Sequence, residues 1–276
     1  MARSIYIASP NAGTGKSTVA LGLVSCLTKV VAKVGVFRPF VESREGDAFL
    51  SLLLNRAGST TPPEQCVGAT WDEFHADPEE ALARIVDAYR AMAREHDVVI
   101  IDGSDFTDVA GNPELALNAR VAANIGVPVL LVVSGQNDVE DVVASVEVSM
   151  AEIADNHART VAVVANKCLP ETRQAVGEAL TAIEGITSTT LPEVPLLAAP
   201  VVREVLDAVE GTLIAGDETL LDREAESVLV CAMDVSHVLE RLTAGQLAIV
   251  PADRSAMLIS LMAAQASSSF PILSGL

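Results

Sequence analysis

Residues 3–18 read RSIYIASPNAGTGKST, and this stretch decides how the rest of the chain is interpreted. The short apolar run from Ser4 to Ala8 predicts a strand, and the apolar spacing that follows Lys16 predicts a helix. Between them lies a glycine-rich segment that ends in Gly-Lys-Ser. A strand, a glycine-rich loop and a helix in this order are typical of a phosphate-binding loop in an α/β protein.

The segment called the phosphate loop below consists of Gly13, Thr14, Gly15, Lys16, Ser17 and Thr18. Backbone N–H groups of such a loop converge on an anion, and the dipole of the following helix adds a positive end. Lys16 would reach the outer phosphates as a point charge, and the Ser17 hydroxyl would coordinate Mg²⁺. We therefore expect ATP or another nucleotide, together with Mg²⁺, as the ligand.

Pro10 departs from the strict form of this motif, which has glycine five residues before Gly15. Proline has no N–H group, so one backbone contact to the anion would be missing. The alternative interpretation is a glycine-rich turn that does not bind nucleotide.

The rest of the first 190 residues alternates between strands and helices. Near-continuous apolar runs such as Val98 to Ile101 indicate strands that are covered on both faces. The further predicted strands are Val34–Arg38, Val129–Val133 and Val161–Ala165. The predicted helices are Lys16–Lys29, Arg44–Ala57, Pro78–His96, Pro113–Ile125, Val139–Asn156 and Thr172–Ile183. The prediction is a P-loop NTPase-like α/β domain over residues 1–210, with a parallel sheet and helices on both faces.

A smaller α/β domain is predicted over residues 211–276. The proline-rich stretch from Leu191 to Pro195 is interpreted as a connection, and the acidic residues 211–223 as a linker. The predicted strands are Val228–Cys231 and Leu247–Val250, and the predicted helices are Val235–Leu242 and Arg254–Ser267. The apolar run from Ile272 to Leu276 is expected to open another strand. This pattern predicts an incomplete second domain and a chain that is a fragment of a longer protein.

Asp102 directly follows the buried run Val98–Ile101 and would lie at the carboxyl edge of the sheet, where open α/β sheets bind ligands. It is a candidate to hold Mg²⁺ through water. The alternative is a turn aspartate before Gly103. Asp105 and Asp108 are nearby in sequence and are competing candidates.

Three other polar residues also follow predicted strands. Arg38 precedes Pro39 and is a candidate for a bidentate contact with phosphate, with a surface salt bridge as the alternative. Asn166 and Lys167 form the next pair, and the amide of Asn166 is a candidate for contact with a base edge. An ordinary turn is the alternative for this pair, because asparagine is common in turns.

Composition excludes several other classes of function. The formal net charge is −19, from 37 acidic and 18 basic residues, and no Lys/Arg cluster stands out in the sequence. Nucleic acid and membrane surfaces are therefore not expected partners, and an aromatic content of 3% argues against base-stacking platforms. No apolar run approaches the ~18 residues of a membrane span.

The four cysteines are Cys26, Cys66, Cys168 and Cys231. They are far apart and have no metal-ligand spacing, and the four histidines do not supply one either. Buried thiols in a reducing cytosol are the expected state, and we expect a cytoplasmic protein.

Several segments together resemble the N-terminal region of long-type bacterial phosphate acetyltransferases. These segments are residues 4–17, Val36–Pro39, Ala165–Lys167, Val194–Glu204 and Val250–Ser255. The last of them resembles the Asp-Arg motif of a DRTGG domain. The resemblance covers essentially the whole chain, and the first domain also resembles dethiobiotin synthetase. In that ligase the basic residue before the proline is usually lysine, whereas here it is Arg38.

This resemblance implies a function for the chain. The family interconverts acetyl-CoA and phosphate with acetyl phosphate and CoA, and its catalytic domain lies C-terminal to the DRTGG domain. The chain would then be a regulatory and assembly region without catalytic residues, whose partners are that catalytic domain and further copies in a homo-oligomer. Two alternatives stay open: an ATP/Mg-dependent enzyme resembling dethiobiotin synthetase, and a structural assembly domain with a vestigial loop.

Overall fold

A computed structural model describes residues 3–44, 46–104 and 114–276. The chain divides into two compact units, the first ending at Glu193 and the second running from Val194 to Leu276. The candidates Asp105 and Asp108, and the predicted helix start at Pro113, lie outside the described residues. Among the described helices, none has the length and apolar character needed to cross a membrane.

The first unit is built on a seven-stranded sheet in the order β3-β2-β4-β1-β5-β6-β7. Its strands are β1 Arg3–Ala8, β2 Val34–Val41, β3 Val67–Thr70, β4 Val98–Asp102, β5 Val129–Ser134, β6 Thr160–Cys168 and β7 Thr187–Pro192. Every neighbouring pair is parallel, which confirms the predicted fold class.

Helices cover both faces of this sheet. They are α1 Lys16–Leu27, α2 Ala48–Ala57, α3 Trp71–Ala76, α4 Pro78–Glu95, α5 Glu114–Ile125, α6 Val139–Asp155 and α7 Arg173–Thr181. The chain moves from β1 to β2 and β3 in one direction across the sheet and then back in the other. Right-handed crossovers therefore place α1 and α2 on one face and α4 to α7 on the other, and consecutive helices within each group contact one another.

The core explains why the central strands are so apolar. Ile100 and Ile101 in β4 and the residues from Leu131 to Val133 in β5 have no exposed surface. Strands with helices on both faces cannot alternate between apolar and polar residues, because both sides of each strand are buried.

Two strands were missed by the sequence analysis. The stretch around Leu191 and Pro192 was predicted as a connection, but it belongs to β7, the edge strand next to β6. This strand reads Thr-Ser-Thr-Thr-Leu-Pro and is partly exposed, so it lacks the apolar run of a buried strand. The other missed strand, β3, has only four residues and lies at the opposite edge.

Helix α2 begins later than predicted. The predicted start was Arg44, whereas the helix runs from Ala48. The Asp47 side chain accepts a hydrogen bond from the backbone N–H of Leu50 at 2.8 Å, and this cap defines the first turn.

The second unit contains a small parallel sheet and three helices. Its elements are β8 Ser227–Val230, β9 Gln246–Ile249, α8 Val202–Ala208, α9 Val235–Leu239 and α10 Ser255–Gln265. A separate core forms around Cys231, Val238 and Leu261. The apolar run from Ile272 makes one parallel bridge, between Gly275 and Leu247.

Helix α8 lies in the second unit, whereas the predicted boundary at residues 210 and 211 assigned it to the first domain. Contacts of this helix with a later segment of the second unit explain this placement. The N–H of Val202 donates to the carbonyl of Arg223 at 2.8 Å, and the Arg203 guanidinium lies 2.9 Å from the Asp222 carboxylate.

Candidate functional site

Two glycines of the phosphate loop have left-handed backbone conformations. Gly13 has φ 76° and Gly15 has φ 79°. A Cβ atom on Gly15 would lie 2.3 Å from the side-chain nitrogen of Asn166, whereas one on Gly13 would meet nothing within 4 Å. Gly15 is therefore required both by its backbone conformation and by the close approach of Asn166.

Lys16 is buried in an ion pair with Asp102. Strand β4 lies beside β1 and places Asp102 opposite Ile7, next to the loop. The Nζ of Lys16 lies 2.5 Å from Oδ1 of Asp102 and 2.5 Å from the carbonyl oxygen of Gly103. The side chains are 1% and 0% exposed, so the two buried charges compensate each other.

Arg38 reaches the same carboxylate from the other neighbour of β4. Its Nε lies 3.4 Å from Oδ2 of Asp102, and its Nη1 donates to Oδ2 of Asp47. Together with Lys16, these side chains form a group of two basic and two acidic residues that we call the charge cluster. Its members are Lys16, Arg38, Asp47 and Asp102. Asp47, the cap of α2, was not identified from the sequence; its position before an apolar helical run was the available signal.

Asn166 and Lys167 hold the loop from the end of β6. The Asn166 amide donates to the carbonyl of Thr14 at 2.8 Å, and Nζ of Lys167 donates to the carbonyl of Gly13 at 2.8 Å. Lys167 has φ 58°, an uncommon left-handed conformation for a residue with a side chain. The structure therefore brings this pair to the loop, and the predicted contact with a base edge stays a prediction.

The remaining loop residues differ in exposure. Thr14 is buried, Ser17 is half-buried in the first turn of α1, and Thr18 is exposed. The difference in exposure within α1 follows from the helical geometry, which directs Lys16 into the protein and Thr18 outward. Ser17 keeps its predicted position in the first helical turn beside Lys16.

Asn118 supports the segment after Asp102 and was missed by the sequence analysis. It is fully buried in α5, accepts from the Tyr6 hydroxyl at 2.6 Å and accepts from the backbone N–H of Ser104 at 3.0 Å. A Cβ atom on Gly103 would lie 2.6 Å from its Oδ1. An amide that is flanked by apolar residues of the helix was the signal that could have identified it.

The residues present fit a hydrated Mg²⁺ ion. Asp102 Oδ2 is buried and accepts no hydrogen bond from the residues that the structure describes. A single carboxylate beside a phosphate group is a common way of holding Mg²⁺, which keeps most of its water ligands. Across the described ranges, no group of three His, Cys, Asp or Glu residues has the arrangement of an all-protein metal site.

The cysteines lie outside the charge cluster. Cys66, Cys168 and Cys231 are buried as expected, but the expectation was wrong for Cys26, which is exposed on α1. Burial, reinforced by the charge of Glu64, raises the pKa of the Cys66 thiol to about 11. Burial also raises the pKa of Cys168 and of Cys231.

Family models match nearly all of the chain. One that is described as an AAA domain matches residues 3–205, and one that is described as a DRTGG domain matches residues 204–275. These matches confirm the predicted combination of a P-loop domain with a DRTGG domain.

Curated relatives are phosphate acetyltransferases. One from Nitratidesulfovibrio vulgaris is 26% identical over 292 residues, and one from a Synechocystis species is 25% identical over 289 residues. All of this chain is covered in both comparisons, and it spans 41% of the length of either relative. The predicted resemblance to the N-terminal region of these proteins is confirmed.

Solved structures share the fold of the first unit. A plasmid partition protein from Borrelia burgdorferi, solved with AMPPNP bound, superposes with a TM-score of 0.51 at 14% identity. The superposition covers 79% of this chain and 93% of that one. At this identity the likeness supports the fold alone.

Proposed function

We propose that this chain, which belongs to the AAA-domain family over residues 3–205 and to the DRTGG-domain family over residues 204–275, is the nucleotide-sensing and assembly region of a longer phosphate acetyltransferase. That enzyme would interconvert acetyl-CoA and phosphate with acetyl phosphate and CoA. Acetyl transfer would be performed by a further, C-terminal domain, which is the proposed partner of this chain within a homo-oligomer. Support comes from the phosphate acetyltransferases that are similar along the whole chain.

The observation that carries the sensing role is the burial of Lys16 at the start of α1, between Asp102 and Gly103. The phosphates of a nucleotide are the natural competitor for this ammonium group, because they also receive the N–H groups of the helix N-terminus. Their arrival would separate Lys16 from Asp102. The carboxylate of Asp102 would then be available to a hydrated Mg²⁺ ion.

The charge cluster offers a route from the loop to α2. Arg38 contacts Asp102 on one side and Asp47 on the other, and Asp47 caps α2. If Lys16 leaves Asp102, the positive charge beside this carboxylate changes. The strength with which Asp102 and Asp47 each attract Arg38 then changes as well. We therefore propose that ligand binding at the loop changes the first turn of α2 and, through it, the surface offered to the rest of the protein.

Calorimetric titration with ATP, ADP and NADH, each with and without Mg²⁺, tests the sensing role. The double variant Lys16→Met/Asp102→Asn removes both charges and avoids an isolated buried ion. Lys29→Ala, at an exposed position just after α1, is the matched control. We expect binding in the wild type and the control and at least about tenfold weaker binding in the double variant. A folded wild-type chain that binds none of the three ligands would contradict the proposal.

A structural assembly domain with a vestigial loop is the second candidate. It is favoured by Lys16, which is 1% exposed and already neutralised, and by Pro10 in the loop. Under this alternative, nucleotide has no effect on the molar mass measured by light scattering, whereas deletion of the region changes the oligomer.

Phosphate release from ATP, lost in the double variant, would instead favour the enzyme alternative. Acetyl phosphate formation by the purified chain would contradict the assignment of acetyl transfer to another domain.

A further inference from the structure

A large cavity lies at the edge of the sheet opposite to the phosphate loop. Its volume is about 1180 Å³, and it is lined at the points where β1, β4 and β5 begin. Arg3 opens β1, Asp97 precedes β4 and Pro128 precedes β5. The loop lies at the carboxyl ends of the same parallel strands, so the two regions are separated by the length of the strands.

Three arginines line this cavity. Arg90 and Arg94 lie one turn apart on α4, and Arg3 joins them from β1. The sequence alone shows no basic cluster, because Arg3 is far from Arg90 and Arg94 along the chain. In a protein with 37 acidic and 18 basic residues, three guanidinium groups around one cavity stand out against the overall charge.

The arginines are weakly compensated. Within the residues that the structure describes, Arg3 and Arg94 make no ion pair, and Arg90 reaches the Asp87 carboxylate only at 4.0 Å. The carboxylate that lines the cavity is Asp97, whose Oδ2 accepts from the backbone N–H of Lys33 at 3.2 Å. The lining of the cavity therefore contains three arginines and one carboxylate.

Part of the lining of the cavity is apolar. It is formed by Ala93, Ile125, Val127 and Pro128, with the ring of Tyr89 beside them. The Tyr89 hydroxyl donates to Oγ of Ser4 at 2.9 Å, so its polar end is already satisfied. His96 completes the lining and is held by contact of its Nδ1 with the Met92 carbonyl at 3.0 Å.

The helix dipole accounts for only part of this arrangement. Arg94 lies in the last turn of α4, where a basic side chain stabilises the negative end of the helix. This explanation does not extend to Arg3, which lies on a strand and lines the same cavity. Guanidinium groups also have the planar fork that binds phosphate in a bidentate manner.

We propose that this cavity binds a small phosphorylated molecule, with its phosphate on Arg3, Arg90 and Arg94 and an apolar part on Ile125 and Val127. The volume of about 1180 Å³ is slightly above the range of about 300–1,000 Å³ that is typical of small-molecule sites. This site is separate from the phosphate loop, so it would give the protein a second anionic ligand. Its existence does not depend on nucleotide binding at Lys16.

Backbone amide chemical shifts test this site with inorganic phosphate and phenyl phosphate as probes. We expect saturable changes at residues 93–97 and 125–128 in the wild type and in the loop variant Lys16→Met/Asp102→Asn. Phenyl phosphate should bind about tenfold more tightly than phosphate, because its ring would cover the apolar part of the lining.

Two variants make the test decisive. Arg90→Ala/Arg94→Ala should weaken binding at least about tenfold, while Arg84→Ala, which removes a paired arginine of the same helix outside the cavity, should leave it unchanged. If the arginines act only on the helix dipole, the double variant lowers the melting temperature and binds the probes as the wild type does. That result would overturn the proposal, as would changes confined to residues 13–18.

Discussion

Lys16 and Asp102 form a buried ion pair that joins the phosphate loop to the strand beside it, with 2.5 Å between Nζ and Oδ1. Both partners lie where an ATP-binding protein would place its phosphate and magnesium ligands. Under the proposed function, this pair is the contact that the phosphates of a bound nucleotide would break. Altering the pair should consequently change both the stability of the protein and its affinity for nucleotide.

Replacing Lys16 alone should destabilise the protein strongly. Lys16→Ala leaves Asp102 buried beside Arg38 without its closest partner, and breaking such a pair costs about 3–5 kcal/mol. The measurement is the free energy of unfolding in urea, with Lys29→Ala as the exposed control. The double variant Lys16→Met/Asp102→Asn should be more stable than Lys16→Ala. Equal stabilities for Lys16→Ala and the wild type would show that the ion pair contributes nothing.

The two left-handed glycines of the loop should differ in their tolerance of a methyl group. Gly15→Ala would bring Cβ to 2.3 Å from the Asn166 amide in addition to straining the backbone, whereas Gly13→Ala meets open space. We expect Gly13→Ala to cost about 1 kcal/mol and Gly15→Ala clearly more, because only the latter must displace Asn166. Thermal unfolding of both variants provides the comparison. Equal losses would mean that Asn166 moves aside freely.

One thiol should react rapidly with a disulfide reagent in the native protein. Cys26 is exposed, whereas the other three are buried. For Cys66, a pKa of about 11 instead of 9.0 means about a hundredfold less thiolate near neutral pH. The absorbance of the thiol that the reagent releases should show one rapidly reacting cysteine per chain. The variant Cys26→Ser should lack this fast reaction. Two or more fast equivalents in the folded protein would contradict the burial of the others.

Acid should remove a contribution of Glu73 to stability. The backbone N–H of Thr70 and the guanidinium of Arg44 hold the pKa of Glu73 below its ordinary value. Ionised Glu73 therefore stabilises the fold above its unfolded pKa of about 4.3, and this contribution is lost as the pH falls through the lower, folded pKa. Glu73→Gln should be less stable than the wild type at pH 6, and the difference should shrink towards pH 3. A pH-independent difference would contradict this origin.

The apolar runs and the loop motif carried most of the fold prediction. Strands such as β4 and β5 are buried on both faces, so their composition alone identifies them. Strand β7 is a partly exposed edge strand and strand β3 has only four residues, so neither contains a long apolar run and both were missed. A similar limit applied to the arginine cavity, because the crossover of α4 brings Arg90 and Arg94 beside Arg3 only in the folded chain.

For the site, sequence reasoning found the residues but not their partners. Lys16, Arg38 and Asp102 were all identified as strand-end or loop candidates, and the structure brings them together. Their mutual ion pairing and the role of Asp47 depend on the neighbouring positions of β1, β4 and β2 in the sheet. Spacing along the chain does not encode that order, which is set by the directions of the crossovers.

The most direct test of the central claim is a crystal structure of this chain grown at saturating ADP and Mg²⁺. The account predicts that Lys16 Nζ binds a phosphate oxygen and has left the carboxylate of Asp102, which instead faces the hydrated Mg²⁺ ion. A structure in which the Lys16–Asp102 pair persists and no nucleotide lies on the loop would contradict nucleotide sensing at this site.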